Sequence, residues 1–525
     1  MARTTTRRVT ILTLLAALGL TACGTAAGQD EGGGTDSPHA ATELRYPLTA
    51  TLPSLDPHMN PGGVTAEVGR HIYESLVAYD AELVPQPALA ERWESNEDGS
   101  HWTFYLRPGV TFHNGEPLTA TDVAASLNKW KASTPRAQTF MGEAEFAVVD
   151  ETTVELVLDE PRGDVLDQLA NPLQFAAIMP ASVVNEAGAD GVSEFIGTGP
   201  YEFVDWAPDQ YVHTTRFEDY VGSTAEPSGL SGRKDAPTKD IYFEIVPDDA
   251  TRFASFLSGH YDIVNVSHDQ VPQIEAADDT ELHRYAANQF AVVFNVTSPA
   301  GSNHLVRQAV NAAIDADEFL TAVVSDPNLY RLNPSFAFEE NATWWSDAGA
   351  EGVYNQGDPQ RAADLFEQSG YDGEPLRILT TRDYGGVFYA GAVILQSQLA
   401  QAGIEAEIDV YDYATLLQHR NSLSGWDIYT GSFLVPSTPT QLLYLTPNYG
   451  GLDDPQVTEL LGAAAEALTP EAKAAAAADL SAYLWEQLPV LVVGDLYTYR
   501  AVRDTVSGFD FFDGSSVLWN VRVDQ

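Results

Sequence analysis

The sequence predicts an α/β or α+β fold, and three observations support this prediction. Short apolar runs typical of strands alternate with longer segments whose apolar residues recur at helical spacing. Gly, Pro and helix-capping residues separate these segments. The chain has 525 residues, of which 44% are hydrophobic and 19% charged. This composition is typical of a globular protein with room for two or three domains.

The clearest strand-helix-strand unit lies between residues 376 and 410. Leu376–Thr381 predicts a short strand, and Val387–Ala402 repeats apolar residues at helical spacing. Gly403 follows at a position where helices often end in a left-handed residue. From Ile404 to Val410, apolar and acidic residues alternate, which predicts a strand with one face in water.

Three further helices are predicted from their start signals. Thr119 is followed three residues later by Asp122, the pattern of a capping box. Asp358 and Thr469 each precede a proline, which is favoured at the first position of a helix. These signals place helices after residues 119, 358 and 469.

The net charge excludes one class of partner. The chain has 75 acidic and 27 basic residues, a formal net charge of −48. A surface this negative repels phosphate backbones, so we expect no nucleic-acid partner. The single cysteine excludes an intrachain disulfide.

Motifs for catalysis are absent from the sequence. It contains no G-x-S-x-G, no H-E-x-x-H and no G-x-x-x-x-G-K. His260 and His268 could converge on a metal ion. They are eight residues apart, however, and this spacing favours two separate surface histidines. We therefore expect no enzyme, no metal site and no cofactor.

The N-terminus predicts export and lipid attachment. Arginines precede an apolar run, Val9–Leu20, which is shorter than the ~20 residues that a membrane-spanning helix needs. Residues 1–22 therefore read as a signal peptide. Leu20–Cys23 resembles the bacterial lipobox, which implies cleavage before Cys23 and lipidation of its sulfur. The alternative is an ordinary buried cysteine, and the export route, Sec or Tat, stays open. Residues 23–42 are rich in Gly and Ala and predict a flexible tether.

A long run of motifs links the chain to a known family. The run comprises residues 72–77 (IYESLV), 87–93 (PALAERW) and 102–123 (WTFYLRPGVTFHNGEPLTATDV). It resembles the signature of the peptide/nickel-type solute-binding proteins of ABC importers, solute-binding family 5. Shorter matches such as 55–57 (LDP) and 197–201 (GTGPY) keep the same order, and the resemblance covers essentially residues 43–525.

The long signature run is predicted to form part of the protein core and not to contact a ligand. Phe104 and Leu106 alternate with polar residues before the turn at 107–109, and Val110 and Phe112 do so after it. This pattern predicts a hairpin with one buried face. The run thus identifies the family without locating a ligand.

The resemblance implies a two-lobed, periplasmic-binding-protein-like α/β fold with hinge strands. A smaller domain is inserted into the first lobe. Lobe I would comprise residues 43–77, 198–285 and 496–525, the inserted domain 78–197, and lobe II 286–495.

The function that the resemblance implies is solute capture. The chain would be a lipid-anchored receptor on the extracellular face of the cell membrane, and we expect a monomer. It would hold a small molecule in the interlobe cleft and deliver it to an ABC permease with its ATPase subunits. The ligand would be peptide-like, an oligosaccharide or a metal chelate. A secreted enzyme or a chemosensory receptor on the same fold is the alternative, because fold alone does not fix function.

Candidate ligand residues follow from the predicted strands of lobe II. In open α/β sheets, ligands lie beyond the carboxyl ends of the strands. The loop after 376–381 and the segment after the strand predicted at Trp426–Thr430 fit this rule. By family analogy, the start of the first strand of lobe II faces the hinge. The candidates are Asn288, Gln289, Arg382, Asp383, Tyr384, Trp426, Ser432 and Phe433.

One departure from the family bears on the ligand. Peptide binders of this family usually carry an acidic residue shortly after the strand predicted at 426–430, where it pairs with the α-ammonium of the ligand. Gly431–Pro439 contains no carboxylate, and burying an unpaired ammonium costs several kcal/mol. Either Asp383, the only acidic residue that the sequence places near the cleft, supplies the charge, or the ligand has no free α-amine. Arg382 and Arg331 are candidates for receiving a carboxylate.

Overall fold

A computed structural model describes residues 42–60, 63–173, 175–188, 190–383 and 386–524. The predicted signal peptide, Cys23 and Tyr384 lie outside these residues. The described residues form one compact unit. Within the described ranges, no helix combines the length and the apolar character needed to cross a bilayer.

Strands and helices are mixed along the described chain. The strands are β1 (Glu43–Leu48), β2 (Val77–Tyr79), β3 (Pro85–Pro87), β4 (Ala90–Ser95), β5 (His101–Leu106), β6 (Phe146–Asp150), β7 (Thr153–Val157), β8 (Tyr201–Ala207), β9 (Tyr211–Arg216), β10 (Asp240–Ile245), β11 (Ile263–Val266), β12 (Thr280–Phe294), β13 (Tyr330–Arg331), β14 (Leu376–Thr381), β15 (Ala406–Tyr411), β16 (Ile428–Leu434), β17 (Val490–Arg503), β18 (Val506–Ser507), β19 (Asp510–Phe512), β20 (Ser515–Val517) and β21 (Arg522–Val523).

The α-helices are mostly short and lie between these strands. They are α1 (Gly63–Ile72), α2 (Ala120–Ser133), α3 (Pro135–Met141), α4 (Val165–Ala170), α5 (Ala181–Asn185), α6 (Asp249–Leu257), α7 (Val271–Glu275), α8 (His304–Ala313), α9 (Ala316–Val324), α10 (Pro359–Gln368), α11 (Val387–Gln401), α12 (Tyr413–Ser422), α13 (Pro447–Gly450), α14 (Pro455–Glu466) and α15 (Pro470–Gln487).

Two four-stranded sheets form the first half of the molecule. One has the order β1-β10-β9-β8, with β1 and β10 parallel from Glu43 opposite Asp240 to Leu48 opposite Ile245. The other has the order β4-β5-β7-β6 and is antiparallel throughout. The first sheet lies in the residues predicted as lobe I, and the second in those predicted as the inserted domain.

The hairpin predicted around residues 107–109 is wrong. Strand β5 ends at Leu106 and pairs with β4 on one edge and β7 on the other. Because both edges of β5 are occupied, residues 110–112 cannot pair with it. The apolar residues of the run are nevertheless buried, with Phe104 and Phe112 at most 1% exposed.

A seven-stranded sheet connects the two lobes. Its order is β11-β17-β12-β16-β14-β15, and β13 pairs with β17. Strands β12 and β17 run antiparallel from Thr280 opposite Arg503 to Val293 opposite Val490. Both strands pass through the lobe boundaries predicted at 285/286 and 495/496, and these boundaries stay predictions.

The predictions for individual helices and strands are confirmed, except for the bounds of one strand. Strands β14 and β15 are parallel and are connected by α11, and Gly403 follows that helix with a φ of +72°. The capping box of α2 is present, and α10 and α15 begin at proline. Strand β16, however, spans Ile428–Leu434 instead of 426–430, because it pairs along its whole length with β12.

Two hydrophobic cores correspond to the two halves of the molecule. One contains Tyr73, Trp130 and Phe243 and extends from lobe I into the inserted domain. The other lies mainly in lobe II and contains Phe290 and Trp485. The separate cores, together with the sheet that joins them, confirm the predicted two-lobed α/β fold.

Candidate functional site

Two adjoining cavities lie between the lobes, and both border the β12–β17 strand pair. Their volumes are about 670 Å3 and about 1050 Å3. They share four lining residues, Asn288, Leu434, Leu443 and Thr498. The two cavities therefore form one cleft with two chambers.

The smaller cavity, which we call the amide chamber, is lined by residues from both lobes and the inserted domain, with amide and hydroxyl side chains set among apolar ones. The side-chain amide atoms of Gln441 are buried and have no hydrogen-bond partner among the described residues, so they are available to a ligand. Its polar lining residues include Thr139, Gln168, Asn171, Asn288, Ser437, Thr440, Gln441 and Ser515.

The larger cavity, which we call the aromatic chamber, lies between the segment after β11 and the inner face of lobe II. Aromatic residues are prominent in its walls, and apart from tyrosines the ionisable residues among its lining are His268, Asp269, Asp326 and Arg420. Its aromatic residues are Phe388, Tyr413, Tyr429, Phe433, Tyr449, Tyr497 and Tyr499.

An irregularity in β12 lies at the junction of the two chambers. The pairing of β12 with β17 shifts register between Ala286 and Asn288, and again between Phe290 and Ala291. Such shifts bend a strand and redirect its side chains. Ala287 and Asn288 at the first shift both line the amide chamber, and Asn288 also lines the aromatic chamber.

The structure brings three predicted ligand residues together. Asn288 lines both chambers, and Ser432 and Phe433 line the aromatic chamber. They come together because β12 pairs with β16, with Asn288 opposite Leu434 and Gln289 opposite Phe433. Ser432 and Phe433 therefore lie within β16 and not in a loop after it.

Two other predicted ligand residues lie in the protein interior. Gln289 is fully buried, and its amide nitrogen donates to Ser335 O at 2.8 Å and to Asp495 Oδ1 at 3.1 Å. Trp426 is 2% exposed, and its indole nitrogen donates to His419 O at 3.2 Å. Neither residue is among those that line the two chambers.

The charged candidates have partners of their own. The guanidinium of Arg382 stacks on the ring of Tyr389 at 3.8 Å. Asp383 is exposed, and its Oδ2 accepts a hydrogen bond from Tyr413 N at 2.8 Å. Arg331 forms a salt bridge with Asp495 at 2.7 Å and another with Glu340 at 2.9 Å. Their roles in ligand binding, like that of Tyr384, stay predictions.

Acidic residues other than Asp383 reach the cleft. Asp513 lines the amide chamber, and Asp269 and Asp326 line the aromatic chamber. Asp383 was the only acidic residue that the sequence placed near the cleft, and its position there stays a prediction. The sequence did not reveal the other three because they lie in segments far apart in the chain, Asp269 and Asp513 in lobe I and Asp326 in lobe II.

Sequence reasoning also missed Arg420. This arginine lies in α12 four residues after Leu416, and both side chains are buried on the same face of the helix. A charged residue four positions after an apolar one lies on the same face of a helix, and this pattern is visible in the sequence. In the described part of the chain, no group of three or more His, Cys, Asp or Glu residues could hold a metal ion.

Known proteins with similar sequences agree with this architecture. The family model "Bacterial extracellular solute-binding proteins, family 5 Middle" matches residues 84–453. A probable peptide ABC transporter periplasmic-binding protein, y4tO of Sinorhizobium fredii, is 27% identical over 391 residues, 72% of this chain and 73% of the relative. The glutathione-binding protein GsiB of Escherichia coli K12 is 27% identical over 384 residues, 71% of this chain and 70% of the relative.

Solved structures share the fold. The ABC transporter substrate-binding protein CtaP of Listeria monocytogenes superposes with a TM-score of 0.80 at 19% identity, covering 93% of this chain and 100% of CtaP. The oligopeptide-binding protein AppA of Bacillus subtilis, solved with a nonapeptide, gives 0.71 at 16% identity, covering 93% of this chain and 100% of AppA. At these identities the likeness concerns the fold alone.

The rim of the amide chamber holds the inserted domain against lobe II. Gly163 N donates to Ala465 O at 2.7 Å, and Lys473 Nζ lies 2.8 Å from Asp167 Oδ2. The carboxylate of Asp167 is 4% exposed, and its burial raises its pKa. A Cβ atom at position 163 would lie only 2.1 Å from Ala467 O, so the close approach requires glycine.

We predict that Gly163→Ala opens the cleft. The added methyl group cannot fit against lobe II, so the inserted domain must move away, and the radius of gyration from small-angle X-ray scattering should increase. Gly462→Ala is the matched control, because a Cβ there meets no atom within 4 Å. An unchanged radius of gyration in Gly163→Ala would show that this contact does not set the lobe spacing.

Proposed function

Because the chain belongs to the bacterial extracellular solute-binding proteins of family 5, we propose that it is a lipid-anchored receptor for a small peptide-like solute. Proteins of this family bind solutes for ABC importers and are not enzymes. The proposal adds the anchor at Cys23, capture in the cleft between the lobes and the class of ligand.

The cleft is the observation that carries the proposal. Ligand sites usually enclose about 300–1,000 Å3 and combine apolar walls with a few polar groups. The two chambers have this size and this mixture, and both are lined by residues of both lobes. A solute bound there would contact both lobes and favour their closure.

The peptide-like class is supported by relatives and by the shape of the cleft. One relative is named for peptide transport and another for glutathione, itself a short peptide. The amide chamber offers amide and hydroxyl groups suited to a peptide backbone, and the adjoining aromatic chamber offers rings for a side chain.

Native mass spectrometry of protein purified without refolding tests this function. We expect a co-purified solute that fits the cleft, present at one molecule per chain and lost after denaturation. Protein that carries no solute, and that binds none from a concentrated culture extract, would argue against capture in the cleft.

The anchor at Cys23 gives a separate prediction. Changing Cys23→Ser removes the thiol that would receive the lipid, so the protein should leave the membrane fraction or accumulate as the uncleaved precursor. Fractionation followed by intact-mass measurement distinguishes these outcomes. A Ser variant that remains a mature, acylated membrane protein would refute the lipoprotein proposal.

We further predict that N-acetylated peptides bind more tightly than free ones. Gly431–Pro439 has no carboxylate, so an α-ammonium buried there would cost about 3 kcal/mol or more, at least about a hundredfold in affinity. Calorimetry should compare free di- to pentapeptides with their N-acetylated forms, oligosaccharides and metal chelates.

The variants Asp383→Asn, Asp269→Asn, Asp326→Asn and Asp513→Asn complete the comparison. Micromolar binding of free peptides that is unaffected by all four substitutions would contradict the prediction. Loss of such binding in one variant would instead identify the carboxylate that pairs with the ammonium.

A further inference from the structure

Arg420 differs from the other buried arginines. Among the residues that the structure describes, five arginines are at most 8% exposed, and four of them have short hydrogen bonds or a salt bridge within the protein. Arg307, for example, donates to Gly301 O at 2.7 Å and to Gln487 O at 2.8 Å. The other three are Arg70, Arg252 and Arg500.

The guanidinium of Arg420 has no such partners. It is 6% exposed, yet its Nη1 has no hydrogen-bond partner, and no carboxylate lies within 4 Å of it in the described ranges. Its Nη2 and Nε lie 3.3 and 3.4 Å from Asn421 Oδ1, and the Tyr429 hydroxyl is a further weak hydrogen-bond neighbour of the guanidinium. A guanidinium carries five N–H donors, so most of its hydrogen-bonding capacity is unused.

Two tyrosines hold this guanidinium at the wall of the aromatic chamber. Its Cζ lies 3.8 Å from the ring centroid of Tyr449 and 5.9 Å from that of Tyr429. Both tyrosines and Arg420 line the chamber. Burial raises the pKa of the Tyr429 hydroxyl, and the nearby Arg420 only partly offsets this effect. The tyrosines thus fix the cation but do not neutralise it.

A buried cation without a counter-charge is expensive. Cation–π contacts recover only part of the cost of removing a guanidinium from water. Such a side chain is explained if a partner arrives from outside the chain. The partner must supply hydrogen-bond acceptors, because every polar hydrogen of the guanidinium is a donor. An anion would in addition balance its charge, which a neutral acceptor does not.

We propose that Arg420 is the anchor for a carboxylate of the bound solute, at the wall of the aromatic chamber. A carboxylate matches the planar fork of a guanidinium, which binds it through two parallel hydrogen bonds. The tyrosine rings beside it would pack against the apolar or aromatic group next to that carboxylate. The inference rests on the proposed function, since it names a chemical group of the solute in the same cleft.

The charge of the whole molecule makes this anchor necessary. With a net charge of −48, the protein surface repels an anionic solute. Asp269 and Asp326 line the same chamber and add to this repulsion. A dedicated cation inside the cleft is what would allow a carboxylate to bind there.

The probes are N-acetyl-Ala-Ala-Phe and its C-terminal amide, which differ only in the carboxylate. Calorimetry uses full-length protein from which co-purified solute has been removed by unfolding and refolding. Wild-type protein should bind the acid at least about tenfold more tightly than the amide. Arg420→Met should remove that preference, and Arg420→Lys should retain part of it.

Control variants separate the anchor from a general loss of charge. Arg92 is an exposed arginine stacked at 3.4 Å on Tyr105 in the inserted domain, so Arg92→Met should keep the preference for the acid. Arg382→Met tests the rival arginine after β14. Loss of the preference in Arg382→Met, with Arg420→Met unaffected, would overturn the assignment.

Thermal unfolding of the solute-free protein provides a readout independent of the probes. Removing an unpaired buried cation should leave the midpoint of Arg420→Met unchanged or raise it, and the acid should stabilise only the wild type. A lowered midpoint with equal weakening of acid and amide binding would show a purely structural role for Arg420.

The outcomes distinguish this inference from the proposed function. Equal binding of acid and amide by the wild type, or binding of neither, would overturn the carboxylate anchor. In either case, a solute detected by native mass spectrometry would still support the proposed receptor.

Discussion

The antiparallel pairing of β12 with β17 is the constraint on which the rest of the architecture depends. The pair extends the lobe II sheet towards lobe I, where β11 adds to β17, so one sheet belongs to both lobes. The hydrogen bonds of this pair resist sliding of the two strands, whereas bending and twisting across the strands cost less. The register shifts at Ala286/Asn288 and Phe290/Ala291 provide places for such bending. The cleft lies where the lobes diverge from this connection.

A buried polar cluster fixes the lobe II end of that strand pair. Asp495 in β17 is fully buried and accepts hydrogen bonds from Gln289 in β12, from Asn333 and from Arg331 in β13. Burial raises the pKa of Asp495 to about 6, so the carboxylate is ionised at neutral pH. Each of its neighbours is a donor, which suits the ionised form. Breaking such a cluster costs about 3–5 kcal/mol, so lobe movement must leave it intact.

Features set by neighbouring residues could be predicted from the sequence. The unit β14-α11-β15 followed from apolar periodicity, and the start of α2 followed from the Thr119 and Asp122 pair. Features set by long-range pairing could not. The extension of β16 to Leu434 depends on β12, more than 130 residues earlier in the chain, and the false hairpin at 107–109 failed because β7 occupies the edge of β5. The ends of the predicted strands were enough to identify Asn288, Ser432 and Phe433. Arg420 could not be identified in this way, because only the fold shows that its helix face borders a cavity.

Pulsed electron paramagnetic resonance across the cleft tests most directly whether the lobes close around a solute about the β12–β17 pair. Spin labels at Glu160 in the inserted domain and Glu471 in α15, in a Cys23→Ser background, report the separation of the lobes. The protein purified with its solute should give a short, narrow distance distribution. Removal of the solute should lengthen and broaden it, and adding the solute back should restore it. An identical distribution with and without solute would contradict the account.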